Sequence, residues 1–510
     1  MAASQTEMWT AQSGCYESVT EFYANTDVFL TGGTGFLGKV LIEKLLRSCP
    51  DIGHIFVLMR NKRGKSIETR VSELVSCPLF DRLREENKSA LSKVIPVFGD
   101  ITQLRLGMYD EDIQRLSNVS VAFHLAASVR FDDPLRDAIK TNICSTQELF
   151  EILRTTATKI RAVVHVSTAY SNPENLHVEE KLYPPKYDWK KLVQAVDRYE
   201  PETLDALMEK LSQNSPNTYT YTKGLAEQVC NDYSDELPLA IVRPSVVLFT
   251  IQEPMSGWVD NFNGPTGMLV SAGIGITRTA YLRPRNRINI IPVDVVVKTI
   301  LLAAWKRGTI ERTCGPNHLP IYNSAVTYEQ SLEYQEMLDR GKEYLYAVPF
   351  SRMLWVPRGY PTDWKALYYF KLIFTMLLPS FLLDLLIRMF GHKPFLMKLQ
   401  SRIYGSEVSL RYFVRHEWEF DTKQTDNLID LLDEKDRSTF GWYMPRNLTG
   451  KYLENAYITI RRYLMKDPDE TIPYAKRKLA RMILVDRIIQ IIAGCLTLVA
   501  ICRSMFAGSL

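Results

Sequence analysis

The sequence has little of what marks a secreted, metal-binding or nucleic-acid-binding protein. Only 8 of its 510 residues are cysteine. They show neither a Cys-x-x-Cys pair nor Cys/His ligand spacing, so we expect reduced thiols, no disulfide framework and no metal site. The formal net charge is only +4 and no basic stretch is interleaved with aromatic residues, which argues against a nucleic-acid partner. Residues 1–14 lack the basic start and apolar core of a signal peptide. The composition indicates a globular protein that faces the cytosol.

Long apolar runs are also scarce, and only two bear on membranes. In residues 366–390 the uninterrupted part, 372–383, is too short to span a bilayer, so we expect a buried helical hairpin or an interfacial helix. The second run, 488–502, is nearly free of charge and follows the basic stretch 476–481. This order is typical of a tail anchor with the bulk of the protein in the cytosol. The alternative is a helix docked on the protein or on a partner.

A glycine-rich run lies between an apolar strand, residues 28–30, and a helical segment, residues 40–47. Glycines at such a turn let the backbone approach a pyrophosphate at a helix N-terminus, so the run predicts a dinucleotide cofactor. The spacing fits both Gly-x-Gly-x-x-Gly and Gly-x-x-Gly-x-x-Gly, so the loop alone does not select a family. The expected cofactor-binding residues are Thr31, Gly32, Gly33, Thr34, Gly35, Phe36, Leu37 and Gly38.

The end of the next strand, 55–59, bears on the choice of cofactor. An NAD-selective protein normally carries an acid there for the ribose 2′-hydroxyl. This chain has Arg60, closely followed by Lys62, Arg63 and Lys65. Cationic side chains suit a 2′-phosphate, so Arg60 and Lys65 favour NADPH over NADH. A solvated basic loop is the alternative.

Short apolar strands alternate with helical segments from residue 27 to about residue 323. Continuous apolar strands between helices predict an α/β fold with a Rossmann-type, doubly wound parallel sheet. After it we expect a mainly helical domain and a membrane segment. The predicted limits are 1–25 for an N-terminal tail, 26–323 for the nucleotide-binding domain, 324–362 for a linker, 363–475 for the helical domain and 476–510 for the basic flank and anchor.

Two further motifs carry chemistry. Tyr219 and Lys223 are four residues apart in a helical segment, which places both on one helix face. An ammonium beside a phenol is expected to lower its pKa, so Tyr219 can act as the acid. At the carboxyl end of the strand 162–166, Thr168 is the first choice for binding a substrate oxygen, with Ser167 as the alternative. Turn or capping hydroxyls are the simpler interpretation of this pair.

With these residues in view, the chain resembles the extended short-chain dehydrogenase/reductases and, within them, the fatty acyl-CoA reductases of the male-sterility type. The resemblance extends over most of the chain and includes the glycine run, the Tyr219/Lys223 segment and a C-terminal Trp418-x-Phe420 element. It implies that Asp100 and Ile101 flank an adenine and that Asn142 supports a proton-relay water. It also places Ala126, Ala127, Pro244 and Ser245 beside the nicotinamide.

The resemblance implies NADPH-dependent reduction of a long-chain fatty acyl-CoA to a primary alcohol through an aldehyde. Alternatives are a reduction that stops at the aldehyde, an extended-family reductase of sterols or sugar nucleotides, and a membrane-tethered sensor without turnover. Since 507–510 is not a clean Ser-Lys-Leu signal, we expect the endoplasmic reticulum rather than the peroxisome. The sequence is compatible with a homo-oligomer and does not decide the oligomeric state.

Overall fold

The computed structural model describes residues 16–211, 215–311, 318–444 and 450–507. Residues 1–15 of the expected N-terminal tail and the terminal residues 508–510 lie outside the described residues. The chain divides into two compact units, each discontinuous in sequence. The first comprises Met1–Trp258, Arg287–Leu332 and Glu417–Leu448, and the second comprises Val259–Asn286, Glu333–His416 and Thr449–Leu510.

The first unit is built on a parallel sheet of seven strands. In chain order they are β1 Asp27–Thr31, β2 Ile55–Met59, β3 Val94–Phe98, β4 Val119–His124, β5 Ala162–Val166, β6 Leu239–Pro244 and β7 Ile321–Ser324. The spatial order is β7-β6-β5-β4-β1-β2-β3. The order reverses between β1 and β4, which is the point where a doubly wound sheet opens a crevice for a ligand. The predicted fold class is confirmed.

The strands formed where the sequence predicted them because most are buried on both faces. All five residues of β2 are buried, as are all five of β5. Such strands have no solvent side to place polar residues on, so they read as continuous apolar runs. In the register of the sheet, Thr31 of β1 lies opposite Leu58 of β2 and His124 of β4.

Helices surround the sheet and form most of the second unit. Numbered α1 to α20 along the described chain, they are Val19–Tyr23, Phe36–Ser48, Ile67–Val75, Asp81–Asn87, Asp110–Arg115, Leu135–Ile139, Ser145–Thr156, Trp189–Arg198, Pro201–Leu211, Thr218–Tyr233, Pro265–Gly273, Val293–Gly308, Tyr334–Ala347, Lys365–Lys371, Leu378–Met389, Leu396–Leu410, Lys423–Asp430, Glu434–Phe440, Lys451–Thr459 and Ile472–Ala507. The helix α2 follows the glycine run, and α10 carries Tyr219 and Lys223.

Short strand pairs complete the first unit. Within the first unit, His177–Val178 pairs with Glu419–Phe420, and Val246–Leu248 pairs with Ile290–Pro292. The stretch 324–362, expected as a linker, contains the helix α13, because Tyr334, Gly341 and Leu345 give that segment a buried face. The domain limits given above stay predictions.

Two helices of the second unit are long and apolar enough to cross a membrane. They cover Lys365–Met389, 25 residues, and Asp469–Val499, 31 residues. The first is continuous through Pro379, because a π-helical turn at Leu372–Leu377 joins α14 to α15. Only 22% of the most apolar 18-residue stretch of this helix is buried. The expectation of a buried hairpin is therefore wrong, and the alternative of an interfacial helix remains.

Candidate active site

The glycine loop joins β1 to α2 in a conformation that side chains would block. Gly32 has φ +78°, and a Cβ on it would lie 2.7 Å from the backbone nitrogen of Ala126. A Cβ on Gly38 would lie 2.5 Å from the carbonyl oxygen of Gly32. Gly35 begins the helix with no side-chain cap, so the first amides of α2 face an open cradle. This arrangement fits a pyrophosphate at a helix N-terminus.

A cationic cluster lies beside this loop, at the end of β2. Arg60 Nη1 donates to Asp100 Oδ2 at 2.8 Å. Arg70, on α3, donates to the carbonyl oxygen of Arg60 and, at 3.4 Å, to Thr34 Oγ1. Burial acts to raise the pKa of Asp100, but hydrogen bonds from Arg60 and Thr102 outweigh it and hold that pKa below its usual value. Sequence reasoning missed Arg70, since no motif connects it to the loop.

The other basic residues of this stretch are arranged differently. Lys62 and Lys65 bond each other through both backbone amides, at 3.1 Å each, across a turn in which Arg63 and Gly64 have positive φ. The ammonium of Lys65 pairs with Glu73. The Lys65 ammonium is therefore held by Glu73, which is not a predicted cofactor residue, whereas Arg60 pairs with Asp100 and Arg70 contacts Thr34, both of which are predicted cofactor residues.

The predicted Tyr/Lys pair lies on one helix beside the end of β5. Asn217 caps α10 by accepting the backbone N–H of Thr220 at 2.9 Å, which starts the helix one residue before Tyr219. The Thr168 side chain acts on the Tyr219 hydroxyl as a hydrogen-bonding partner that lowers its pKa. Lys223 Nζ donates to the carbonyl oxygen of Val166 at 2.7 Å. The structure therefore brings Thr168, Tyr219 and Lys223 together.

The ionisation of this pair differs from the expectation. Burial raises the pKa of Tyr219 to about 12, and the hydrogen bond with Thr168 acts in the opposite direction. Burial also lowers the pKa of Lys223 to about 8. The expected lowering of the Tyr219 pKa by Lys223 is not found, because the Lys223 ammonium is directed at a backbone carbonyl. With this pKa, Tyr219 keeps its proton at neutral pH and can donate it.

Ser167, the alternative to Thr168, serves the interior of the protein. Its hydroxyl donates to Glu227 Oε1 at 2.6 Å. Arg243 Nε donates to the same oxygen at 2.9 Å, and Arg243 Nη2 lies 2.7 Å from Glu227 Oε2. The side chains of Glu227 and Arg243 are 1% and 0% exposed. Ser167 is therefore part of a buried ion-pair network. The available sequence signal for this role was that Glu227 lies four residues after Lys223, on the same helix face.

Asn142 lies in a π-helical turn, Lys140–Cys144, and is 1% exposed. Its Oδ1 accepts the backbone N–H of Ser128 at 3.0 Å, and its Nδ2 donates to Thr222 Oγ1 at 2.9 Å. Thr222 directly precedes Lys223. The Asn142 side-chain amide therefore connects the loop after β4 to α10, the helix of the Tyr/Lys pair. Such a contact fixes the position of the loop against the helix.

A buried hydrogen-bond chain, not foreseen from the sequence, links the glycine loop to Asn142. The Ala126 N–H donates to Thr31 Oγ1 at 3.2 Å, and Thr31 Oγ1 lies 2.7 Å from His124 Nδ1. His124 Nε2 lies 3.1 Å from Thr146 Oγ1, which donates to the Asn142 carbonyl at 2.8 Å. Because the Thr146 hydroxyl donates to that carbonyl, it can only accept from His124. His124 therefore carries its proton on Nε2 and accepts at Nδ1. Burial lowers the pKa of His124 to about 3, consistent with this neutral form.

The remaining predicted cofactor residues lie at the carboxyl ends of three strands of the sheet, β3, β4 and β6. The Pro244 carbonyl accepts the Ala169 N–H at 2.9 Å, and the Ser245 N–H donates to the Ser324 carbonyl at 3.0 Å. The Ser245 hydroxyl is buried and has no hydrogen-bond partner within the described part of the chain. Such an orphaned group fits a polar ligand. Ile101 and Ala127 are partly exposed, after β3 and β4 respectively.

Comparison with known proteins also indicates a dinucleotide-binding reductase. Two family models, both described as male sterility protein, match residues 30–300 and 375–467. Fatty acyl-CoA reductase 1 of Xenopus laevis is 36% identical over 466 residues, which cover 91% of this chain and 90% of the relative. The human fatty acyl-CoA reductase 1 is 35% identical over the same shares, and mouse fatty acyl-CoA reductase 2 is 33% identical over 91% and 89%.

Solved structures agree on the fold. The terminal R domain of the myxalamid PKS-NRPS pathway gives a TM-score of 0.57 at 18% identity, covering 88% of this chain and 93% of that one. The reductase domain of a nonribosomal peptide synthetase from Mycobacterium tuberculosis gives 0.56 at 16%, covering 89% and 95%. At these identities the likeness concerns the fold alone. With an NAD(P)-binding reductase domain and relatives matched over nine-tenths of its length, the chain belongs to the fatty acyl-CoA reductases of the male sterility protein family.

Proposed function

We propose that the protein reduces a long-chain fatty acyl-CoA to a primary alcohol with NADPH, through an aldehyde. The relatives named above are fatty acyl-CoA reductases, which supports the substrate class. The observation that carries the chemistry is the hydrogen-bonded pair of Tyr219 and Thr168 at the carboxyl end of β5. Two hydroxyl groups at this position can hold one substrate oxygen while charge develops on it.

When bound, NADPH would supply the hydride for reduction of the substrate carbonyl. The residues that would hold it are the cradle at Gly32 and Gly38, the cations Arg60 and Arg70, and the orphaned hydroxyl of Ser245. A guanidinium next to Thr34 suits a ribose 2′-phosphate, which favours NADPH over NADH.

The protein's own contribution begins with the thioester oxygen. The hydroxyls of Thr168 and Tyr219 stabilise negative charge on this oxygen as the carbonyl carbon becomes tetrahedral, and collapse of that species expels the CoA thiolate. Interactions stronger in the transition state than in the ground state accelerate the step. In the reduction of the aldehyde, Tyr219 gives its phenolic proton to the alkoxide oxygen. The Lys223 ammonium, which donates to the Val166 carbonyl, binds the ribose, as the resemblance implies.

The membrane part of the proposal rests on the last helix. The described residues 488–492 and 494–499 of α20 are mainly apolar and are exposed, and the basic residues Lys476, Arg477, Lys478 and Arg481 precede them. We propose a tail anchor that leaves the catalytic unit in the cytosol, in the endoplasmic reticulum rather than the peroxisome. A substrate with its acyl chain in a bilayer would be within reach of such an enzyme.

The test uses the purified full chain with NADPH and palmitoyl-CoA. We expect NADPH oxidation that depends on the thioester, hexadecanol as product and two NADPH consumed for each CoA released. One NADPH per CoA with hexadecanal as the product would show that reduction stops at the aldehyde. No oxidation with any acyl-CoA, together with turnover of a sterol ketone or a sugar nucleotide, would contradict the proposal.

A further inference from the structure

The helix Lys365–Met389 has a broad apolar surface that no described residue of its unit covers. The side chains of Phe374, Leu378, Phe381, Leu382, Leu385 and Met389 are between 43% and 74% exposed. Continuous apolar patches of this kind mark an interaction site. Length and composition alone would allow this helix to cross a bilayer.

A second helix, α16, runs back along it and makes an antiparallel hairpin. At one end, Asp384 caps α16 by accepting the N–H groups of Phe395 and Leu396, each at 3.0 Å, and of Met397 at 2.8 Å. In the middle, Gln400 Nε2 donates to Ser380 Oγ at 3.1 Å.

At the other end of the hairpin, the Tyr368 hydroxyl donates to Glu407 Oε2 at 3.0 Å. The three contacts follow the apolar helix from Asp384 back to Tyr368. The two helices are therefore packed side by side over most of their length.

The outer face of α16 decides how this hairpin can meet a bilayer. Lys398 and Arg402 on that face are exposed, and Glu407 is buried in the hairpin. If Lys365–Met389 crossed the bilayer, these three charged groups would enter hydrocarbon with it. Charged side chains are costly there unless they face an aqueous or protein interior. The hairpin thus has one apolar side and one charged side, which suits a helix lying in one leaflet.

The point where the tail leaves the unit lies close to this hairpin. Asp486 of α20 is held by Arg358 Nη1 at 2.7 Å, Trp355 Nε1 at 2.7 Å and Arg278 Nη2 at 3.3 Å. The exposed apolar run of α20 begins two residues later, at Ile488.

Three residues after Arg278, the backbone N–H of Tyr281 donates to Glu407 Oε1 at 2.8 Å, and its ring lies 5.4 Å from that of Tyr368. Three residues of extended chain reach at most about 11 Å. A bilayer entered by the tail therefore lies near the base of the hairpin.

We propose that Lys365–Met389 is a second, monotopic membrane contact, with its apolar side in the hydrocarbon of the leaflet that the tail anchor enters and with α16 facing water. The inference rests on the proposed tail anchor. Of the two candidate membrane-spanning helices, only Asp469–Val499 then crosses the bilayer, and Lys365–Met389 lies within one leaflet.

The test uses the full chain in phosphatidylcholine vesicles that carry a photoactivatable carbene precursor on the acyl chain. After illumination, labelled peptides are mapped by mass spectrometry. We expect label in 482–507 and in 373–390, and none above background in 398–410. Label in 482–507 without label in 373–390 would overturn this inference alone. Equal label in 373–390 and 398–410 would overturn it in favour of a spanning hairpin. No label in either apolar segment would overturn the tail anchor as well.

A charge placed on the apolar face provides the matched comparison. Leu382→Glu is expected to reduce the label in 373–390 at least several-fold and to leave the label in 482–507 unchanged. Val408→Glu, on the exposed side of α16, is the control and should leave both unchanged. Leu382→Met should keep the wild-type pattern, which separates a membrane contact from a packing defect. Unchanged label in the Leu382→Glu variant would contradict the proposal.

Discussion

The Ser167 hydroxyl donates a 2.6 Å hydrogen bond to Oε1 of Glu227, the carboxylate that also pairs with the fully buried Arg243. The next residue, Thr168, has its hydroxyl on Tyr219 instead. Two consecutive hydroxyl groups, of which the sequence favoured Thr168 for the substrate oxygen, therefore serve different partners. Ser167 completes a buried ion pair, and Thr168 lies with Tyr219, the proposed proton donor.

Substitution of each hydroxyl should separate these roles. Thr168→Val should lower kcat about 100-fold or more, as expected when one oxyanion donor is lost. Ser167→Ala should keep most of the turnover but destabilise the protein by about 1.5–3 kcal/mol, because a hydrogen bond to a charged group is lost. Steady-state kinetics and thermal unfolding of both variants check this. A large kcat loss in Ser167→Ala without a change in melting temperature would reverse the assignment.

Arg60 and Arg70 should select the cofactor. Arg70→Ala is expected to raise the KM for NADPH about 10-fold or more and to leave the KM for NADH nearly unchanged, because a charge-assisted phosphate contact is worth about 1.5–3 kcal/mol. Arg60→Asp should act in the same direction. Lys65→Ala is the matched control, since its ammonium pairs with Glu73 of α3, whereas Arg60 and Arg70 contact the predicted cofactor residues Asp100 and Thr34. Equal effects on both cofactors would make the arginines structural.

The pH dependence of turnover should report on Lys223. Its pKa of about 8 means that the ammonium is present at neutral pH and is lost as the pH rises, while Tyr219, with a pKa of about 12, keeps its proton. We therefore expect kcat to fall as the pH rises through about 8. In Lys223→Arg, where the cation does not titrate, the remaining activity should show no such fall. Profiles of both enzymes between pH 6 and 10 decide this, and an unchanged fall in the Arg variant would assign it to another group.

Removal of residues 488–510 should abolish integral membrane association. The described residues 488–492 and 494–499 are exposed, so their loss removes little buried surface, although it does remove the hydrogen bond from Gln490 Nε2 to Asp486 Oδ2 at 2.7 Å. The docked part of α20 up to Asp486 remains. We expect a carbonate wash to release the truncated protein but not the full chain. The Cys495→Ala variant changes one residue of 488–510 without removing the segment, so this protein should stay in the membrane after the wash. Truncated protein that resists the wash would make Lys365–Met389 the integral element.

The sequence predicted those parts of the protein whose signal is local. The strand at 55–59 and the Tyr219/Lys223 pair follow from apolar continuity and helical spacing, so both were found. The contribution of Arg70 depends on how α3 lies beside Arg60, the residue after β2, which no spacing encodes. The direction of the Lys223 ammonium was missed for a similar reason, since the Val166 carbonyl that receives it is 57 residues away. Contacts that join distant parts of the chain are set by packing and need the structure.

The catalytic role of Tyr219 is tested most directly by Tyr219→Phe. The variant keeps the ring, which stacks on Phe131 with centroids 5.7 Å apart, and loses only the hydroxyl. Alcohol formation from palmitoyl-CoA and the Kd for NADPH should be measured on the same preparation, with Tyr221→Phe as the control. The account predicts loss of alcohol formation by at least 100-fold with NADPH binding nearly unchanged, and near-normal activity in the control. Near-wild-type alcohol formation by Tyr219→Phe would contradict it.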